Sequence, residues 1–318
     1  MHPLIQALLS AWEWRVDVTA VLLGAGALYV TGWLRLRRRS NTRKLAQRRR
    51  LAAYVGGLAT LALALMSPID RLGGQLFFMH MIQHKLEIMI AAPLLCLGNP
   101  FPFMLWGLPA PARRWVAGLF RRRSRFRRAL SQATAPGIAW FVFIAFYMGW
   151  HDPGFYNLAL YHKGVHDVQH LTFFVSAMLF WWHITNAAPH IHGRTTVWVR
   201  LIMLIAVIPA QMIAGIIIAT SPELLYTYYA SIPRFWGVSV LDDQTIGGMI
   251  MWTLSSEMIV WAAVFLLGGL FGREQTAAGP VAGWDDDEAM IAPGLEHRVL
   301  QRRWRQLAEA RLQARNAL

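Results

Sequence analysis

The sequence predicts an all-α fold: a polytopic membrane protein, a bundle of seven transmembrane helices with the N-terminus outside and the C-terminus cytoplasmic. Three observations predict it. The 318-residue chain is 56% hydrophobic and only 15% charged, so its long apolar runs read as bilayer spans rather than a soluble core. Most of those runs come close to the roughly twenty residues a bilayer requires. The segments between them alternate between strongly basic and nearly uncharged, as the positive-inside rule demands.

The spans follow in order. The first runs over 16–34 and leads into Arg35, Arg37, Arg38, Arg39, Arg43, Lys44, Arg48, Arg49 and Arg50. The second, 51–67, is short, and only Arg71 charges the connection after it positively. The third covers 75–97. Segment 99–112 is expected at the interface, because Pro100, Pro102, Pro109 and Pro111 prevent a continuous helix. Arg113, Arg114, Arg121, Arg122, Arg123, Arg125, Arg127 and Arg128 then mark a cytoplasmic loop before the fourth span, 135–151. Lys163 precedes the fifth, 166–187, and Arg194 and Arg200 flank the start of the sixth, 199–220. Arg234 precedes the seventh, 245–271. The chain thus divides into a membrane domain, 1–272, and a cytoplasmic basic tail, 273–318. The tail opens with Asp285, Asp286, Asp287 and Glu288 and ends in an amphipathic pattern with Leu300, Trp304, Leu307 and Leu312 among arginines. That pattern suits anionic lipid, with a docking helix for a partner as the alternative.

Composition also excludes classes. The net charge of +14 has no recognition motif or aromatic-interleaved patch beside it, so nucleic acid is not expected as a partner. The single Cys96 rules out an internal disulfide framework and a cysteine-cluster metal site. A cleavable signal peptide is not expected. G-x-S-x-G, H-E-x-x-H and phosphate-binding glycine loops are absent, so the chain is not expected to be an enzyme.

The chemistry lies in a five-residue pattern that occurs twice. His80-Met81-Ile82-Gln83-His84 and His166-Asp167-Val168-Gln169-His170 both read H-x-x-Q-H. Helix positions i and i+4 share a face, so each motif sets two imidazoles side by side. The predicted topology puts both pairs in the outer half of the membrane. His151, at the outer end of span four, and Asp242, Asp243 and Gln244, at the mouth of span seven, fall at the same level. So do Met79, Met81, Met148, Met249 and Met251, with Met212 deeper.

Imidazole suits copper, zinc and iron, and thioether selects Cu(I), so a His-plus-Met layer facing an oxidising compartment favours copper. His80, His84, His166 and His170 are the first-choice ligands; His151, Asp243 and Met81 stand second. Gln83, Gln169 and Gln244 are expected to orient the ligands by hydrogen bonds, Gln83 and Gln169 to the non-ligating ring nitrogens. Ligation needs neutral imidazole, so binding is expected to weaken as pH falls through the histidine range. The competing readings are plain. A lone polar residue on a membrane helix is commonly interhelical glue, methionines in spans commonly pack, and Asp242 and Asp243 can cap the helix that follows them. His162 suits a surface role, and His183, His190 and His192 lie toward the opposite side.

Three ionisable residues fall near mid-membrane: Lys85, Glu87 and Glu257. Charges there are costly and are usually paired or functional. Glu87, three residues after His84, can share its face, and similar depth suggests a Lys85–Glu257 pair.

These motifs carry a family resemblance. His80–His84 followed by Ala92-Pro93-Leu94-Leu95-Cys96-Leu97-Gly98-Asn99-Pro100 resembles the CtaG-type cytochrome c oxidase assembly factors of caa-type oxidases. His166–His170 with Leu179-Phe180-Trp181-Trp182 resembles them too, as does Asp243-Gln244 leading into Gly247-Gly248-Met249-Ile250-Met251-Trp252. The resemblance covers most of 16–271 and excludes the tail. Lys85 and Glu87 depart from the apolar residues expected after the first motif. It implies a multi-pass protein of the bacterial cytoplasmic (inner) membrane that helps assemble cytochrome c oxidase by copper delivery. Its implied partners are oxidase subunits or other copper-handling proteins, besides the lipid bilayer. Two other functions use the same residues: a b-type cytochrome with histidines as axial haem ligands, and a copper or proton transporter using Lys85, Glu87 and Glu257.

Overall fold

The computed structural model describes residues 12–39, 42, 45–121, 123–233, 237–274 and 304. Among them every regular element is helical. The expected amphipathic helix of the tail lies outside the described residues, apart from Trp304.

Helix α1 (Val16–Arg37) and α2 (Arg48–Met66) form an antiparallel pair. Ser67 caps the short α3 (Pro68–Gly73), where Pro68 supplies the preset first turn. The first histidine motif lies on α4 (Phe77–Lys85). A π-helical stretch, Leu86–Ala91, joins α4 to α5 (Ala92–Leu97). Pro93 accounts for it: proline lacks the N–H that the α-pattern needs, and a wider turn before it relieves the clash with the preceding carbonyl.

Asn99 adopts a left-handed conformation (φ 51°), and the chain bends by 65° into α6 (Pro100–Gly107). As its prolines predict, 99–112 is not one continuous helix: α6 ends at Gly107 and a separate helix starts at Ala110. Pro100 itself opens α6, because a proline in the first turn has no hydrogen bond to lose. α6 packs on α1, where Gly32 and Gly107 allow backbone contact; a Cβ on Gly32 would stand 1.7 Å from the Phe103 carbonyl oxygen. α7 (Ala110–Leu119), α8 (Arg125–Ala133) and α9 (Pro136–Trp150) follow. Asp152 caps α10 (Pro153–Tyr161), and α11 (Lys163–Thr185) carries the second motif. α12 (Val197–Thr220) and α13 (Val240–Glu274) complete the bundle. Gly215 and Gly248 bring these two helices into backbone contact, the use of small residues expected between membrane helices.

Among the described residues, four helices are long and apolar enough to cross a membrane, and there are up to six such spans if each bent pair counts as one. The element that would make seven, α11, is 23 residues long. Its apolarity falls short because Lys163, His166, Asp167, Gln169, His170 and His183 all lie on it. The polar residues of the second histidine motif thus hold α11 below the apolarity of the other long helices.

Two apolar cores hold the bundle. Tyr29, Trp33, Leu36, Tyr54, Phe103 and Trp106 bind α1, α2 and α6. Phe77, Met81, Phe143, Phe173, Phe180 and Met251 bind α4, α9, α11 and α13. Phe174 and Met178 touch both cores. The histidine motifs sit near this seam.

Candidate metal centre

The two motifs meet. His80, His84 and His170 are buried, and one ligand atom from each lies within 4.8 Å of the others. His166 joins from α11, with its Nε2 3.2 Å from His170 Nε2. Two nitrogens bound to one ion at about 2.0–2.1 Å and opened to a tetrahedral angle stand about 3.3 Å apart, so this spacing suits a shared ion. Ring centroids are 4.4 Å apart for His80–His84, 4.8 Å for His84–His170 and 5.1 Å for His80–His166. The helix period sets each pair, and the packing of α4 against α11 brings the pairs together.

Hydrogen bonds orient two of the rings. His170 Nδ1 lies 2.6 Å from Glu87 Oε1 and donates to it, which turns His170 Nε2 toward His166. This is a carboxylate–histidine arrangement of the kind that fixes a metal ligand's tautomer. His80 Nδ1 lies 2.9 Å from the Tyr156 hydroxyl, which is 3.2 Å from Tyr229 Oη. Tyr229 donates in turn to the Gly73 carbonyl, at 2.9 Å. Burial holds both phenols well above the ordinary tyrosine range, so both keep their protons. The proton order that runs from His80 Nδ1–H to Tyr156, to Tyr229, to Gly73 leaves a lone pair on His80 Nε2.

The nitrogens that remain on His80 and His84 differ from these. His80 Nε2 and both nitrogens of His84 are buried and without a hydrogen bond among the described residues. A buried polar atom left unmade costs about 1–3 kcal/mol, and an ion would engage these lone pairs. The donor set therefore fits a bound metal.

The other predicted site residues are placed differently. His151 is buried 6.5 Å from His84 by ring centroid, and its Nδ1 donates to the Tyr147 carbonyl at 2.6 Å. Asp243 accepts from Phe77 N at 3.0 Å and Phe78 N at 2.9 Å. It thereby caps α4, because α13 starts beside the free N–H groups of α4's first turn. Met81 is fully buried in the apolar core, and Met148 and Met249 are exposed on outer faces.

The orienting roles assigned to the glutamines need correction. Gln83 donates to Asp70 Oδ1 at 2.6 Å and to the Ala64 carbonyl at 3.0 Å, tying α4 to α2 and α3. Burial in that contact pushes the Asp70 carboxyl above its usual value, against the opposing Gln83 amide. Gln169 is buried with no hydrogen bond from its amide among the described residues. Gln244 donates to the Ile218 and Glu223 carbonyls and accepts from Leu225 N, bracing the chain after α12. Position next to a histidine in sequence puts a side chain on another helix face, and these amides follow their own faces.

The Lys85–Glu257 pair does not form. Lys85 is buried and reaches the Tyr147 hydroxyl at 3.3 Å. The buried face of α13 runs through Asp243, Gly247, Met251, Ser255 and Ile259, and Glu257 lies off it, exposed. His183 and His192 sit apart from the cluster against Thr134, with His183 Nε2–H donating to its carbonyl at 2.8 Å. Glu87 was visible in the sequence as a buried charge but not as the partner of His170. Nothing in the sequence marked Tyr156 or Tyr229.

A cavity of about 770 Å³ opens beside the cluster, and Glu87, His166 and His170 line its inner end. Arg15 ties α1 to α11 at its rim, 2.7 Å from Asp167 Oδ1.

The family model of the cytochrome c oxidase caa3 assembly factor matches residues 27–272, which includes every histidine of the cluster. An uncharacterized protein of Mycobacterium bovis is 31% identical over 276 residues, covering 83% of this chain and 40% of its own length. One of Mycobacterium tuberculosis matches to the same extent, and one of Mycobacterium leprae is 30% identical over 267 residues, 80% of this chain and 39% of its own. The chain spans about two fifths of the length of these relatives. No solved structure matches.

Proposed function

This chain belongs to the cytochrome c oxidase caa3 assembly factor family, and from that premise we propose that it binds copper at His80, His84, His166 and His170 and passes it to the oxidase. The observation that carries the reading is a buried cluster of imidazoles from two helices, in which His80 Nε2 and both nitrogens of His84 have no hydrogen-bond partner among the described residues. The family's oxidase is a copper-containing enzyme, which supports copper among the metals that imidazole accepts.

In this reading the chain has seven spans, α11 among them, in a bacterial cytoplasmic membrane. The basic segments between α1 and α2 and around α7 and α8 face the cytoplasm, so the cluster faces the extracytoplasmic side. The work is binding and transfer, without turnover chemistry. The four imidazoles hold the ion, and Glu87 and the Tyr156–Tyr229 pair keep two of them in the ligating tautomer. The direct partners are oxidase subunits or other copper-handling proteins. Haem fits less well, because the imidazoles of α4 and α11 lie ring against ring with no slot between them for a macrocycle.

Metal analysis of the purified protein, paired with an absorption spectrum, tests the assignment. The expected result is bound copper and no Soret band. A Soret band, or a protein that holds no copper after exposure to it, rejects it.

A further inference from the structure

We infer that the cavity bounded by α1, α2, α10 and α11 is the port through which copper enters and leaves the cluster, with His166 and His170 the first imidazoles it meets. This rests on the copper reading above.

Three observations carry it. Of the four clustered histidines, only His166 and His170 line the cavity. His80 and His84 lie behind them, 0% and 2% exposed. An ion arriving by this route is therefore handed inward, from the α11 pair to the α4 pair, and leaves in the reverse order.

The sign of the lining is the second. The chain as a whole carries +14. The cavity reverses this, with the carboxylates of Glu13, Asp17, Asp70, Glu87 and Asp167 on its wall. Against them stand Arg15 and Lys163, and Arg15 is already held by Asp17 and Asp167, at 2.6 and 2.7 Å. A cleft of one sign with apolar walls concentrates counter-ions, here cations. Val21 and Leu22 of α1 and Leu171 and Phe174 of α11 supply such walls.

The third is an unpartnered group at the inner end. Glu87 lines the cavity, and its Oε2 is buried without a hydrogen bond among the described residues, while Oε1 holds His170. A carboxylate oxygen is thus left beside the first ligand pair. The cavity, at about 770 Å³, far exceeds the roughly 30 Å³ share of one water, so an ion still carrying other ligands can reach His166.

Filling the port tests the inference. Val18 and Val21 line it from α1 and are not candidate ligands. A Val18→Trp/Val21→Trp variant of the full-length purified protein, mixed with Cu(I), is expected to hold as much copper at equilibrium as the unaltered protein. Its uptake, and its release to a chelator, should both slow by roughly tenfold or more. Should that variant not fold, Leu160→Trp fills the cavity from α10 and carries the same expectation. Raising salt should slow uptake by the unaltered protein, because screening removes the cation steering. Uptake at the unaltered rate in a folded, filled variant overturns the port. A folded variant with all four clustered histidines replaced by Ala serves as the control. If it still binds copper, the metal site itself is rejected; if it binds none while the filled variants load normally, only the port is.

Discussion

Replacement of Glu87 by Ala is expected to weaken copper binding by about 10–100-fold, the range observed when a ligand's orienting partner is removed. The carboxylate accepts from His170 Nδ1 at 2.6 Å, which presents the Nε2 lone pair to His166. Without it, the buried imidazole can rotate or change tautomer, and Nδ1–H loses its acceptor. Glu87→Gln keeps an acceptor oxygen at nearly the same place and should lose less. Competition for copper against a chelator of known affinity reads the difference. Equal affinities in Glu87→Ala and the unaltered protein would show that His170 needs no such support. The two substitutions together separate orientation from a general loss of packing, since Gln preserves the volume.

The second large effect concerns the fold rather than the metal. Gly32→Val is expected to cost about 3 kcal/mol or more, at the upper end for overpacking a tight contact. A Cβ at Gly32 would stand 1.7 Å from the Phe103 carbonyl oxygen and 2.8 Å from Gly107 N, and both are backbone atoms. No rotamer change relieves a backbone clash, so α6 must move off α1. That breaks the core of Tyr29, Trp33, Leu36, Phe103 and Trp106. Thermal unfolding of purified protein should show a clearly lowered midpoint. Gly24→Ala, on the same helix with open space around it, should leave the midpoint unchanged.

Much of the fold was legible because bilayer thickness and helix geometry act on sequence directly. The long apolar runs at 16–34, 51–67 and 199–220 correspond to α1, α2 and α12, each fixed by length and apolarity alone. The two H-x-x-Q-H motifs were legible for a similar reason: i and i+4 always share a helix face. Their contact across α4 and α11 was not, since the distance between two helices depends on packing. Neighbouring positions misled where helix face outweighs sequence proximity. Gln83 adjoins His84 in sequence yet serves Asp70, and Asp243 caps a helix 165 residues earlier, at Phe78. Span position suggests a Lys85–Glu257 pair, but Lys85 is buried and Glu257 lies exposed off the buried face of α13. The π-helical stretch after Lys85 shifts every later side chain around the axis, and no simple 3.6-residue period anticipates it. Tyr156 and Tyr229 come from short elements, Pro153–Tyr161 and Thr227–Ser231, whose positions only the assembled bundle defines.

The central claim is that four histidines on two helices hold one copper site. Copper content per protein, measured after loading and desalting, tests it most directly when unaltered protein is compared with a folded variant in which His80, His84, His166 and His170 are all Ala. The account predicts stoichiometric copper in the first and none in the second. Equal copper in both would contradict it.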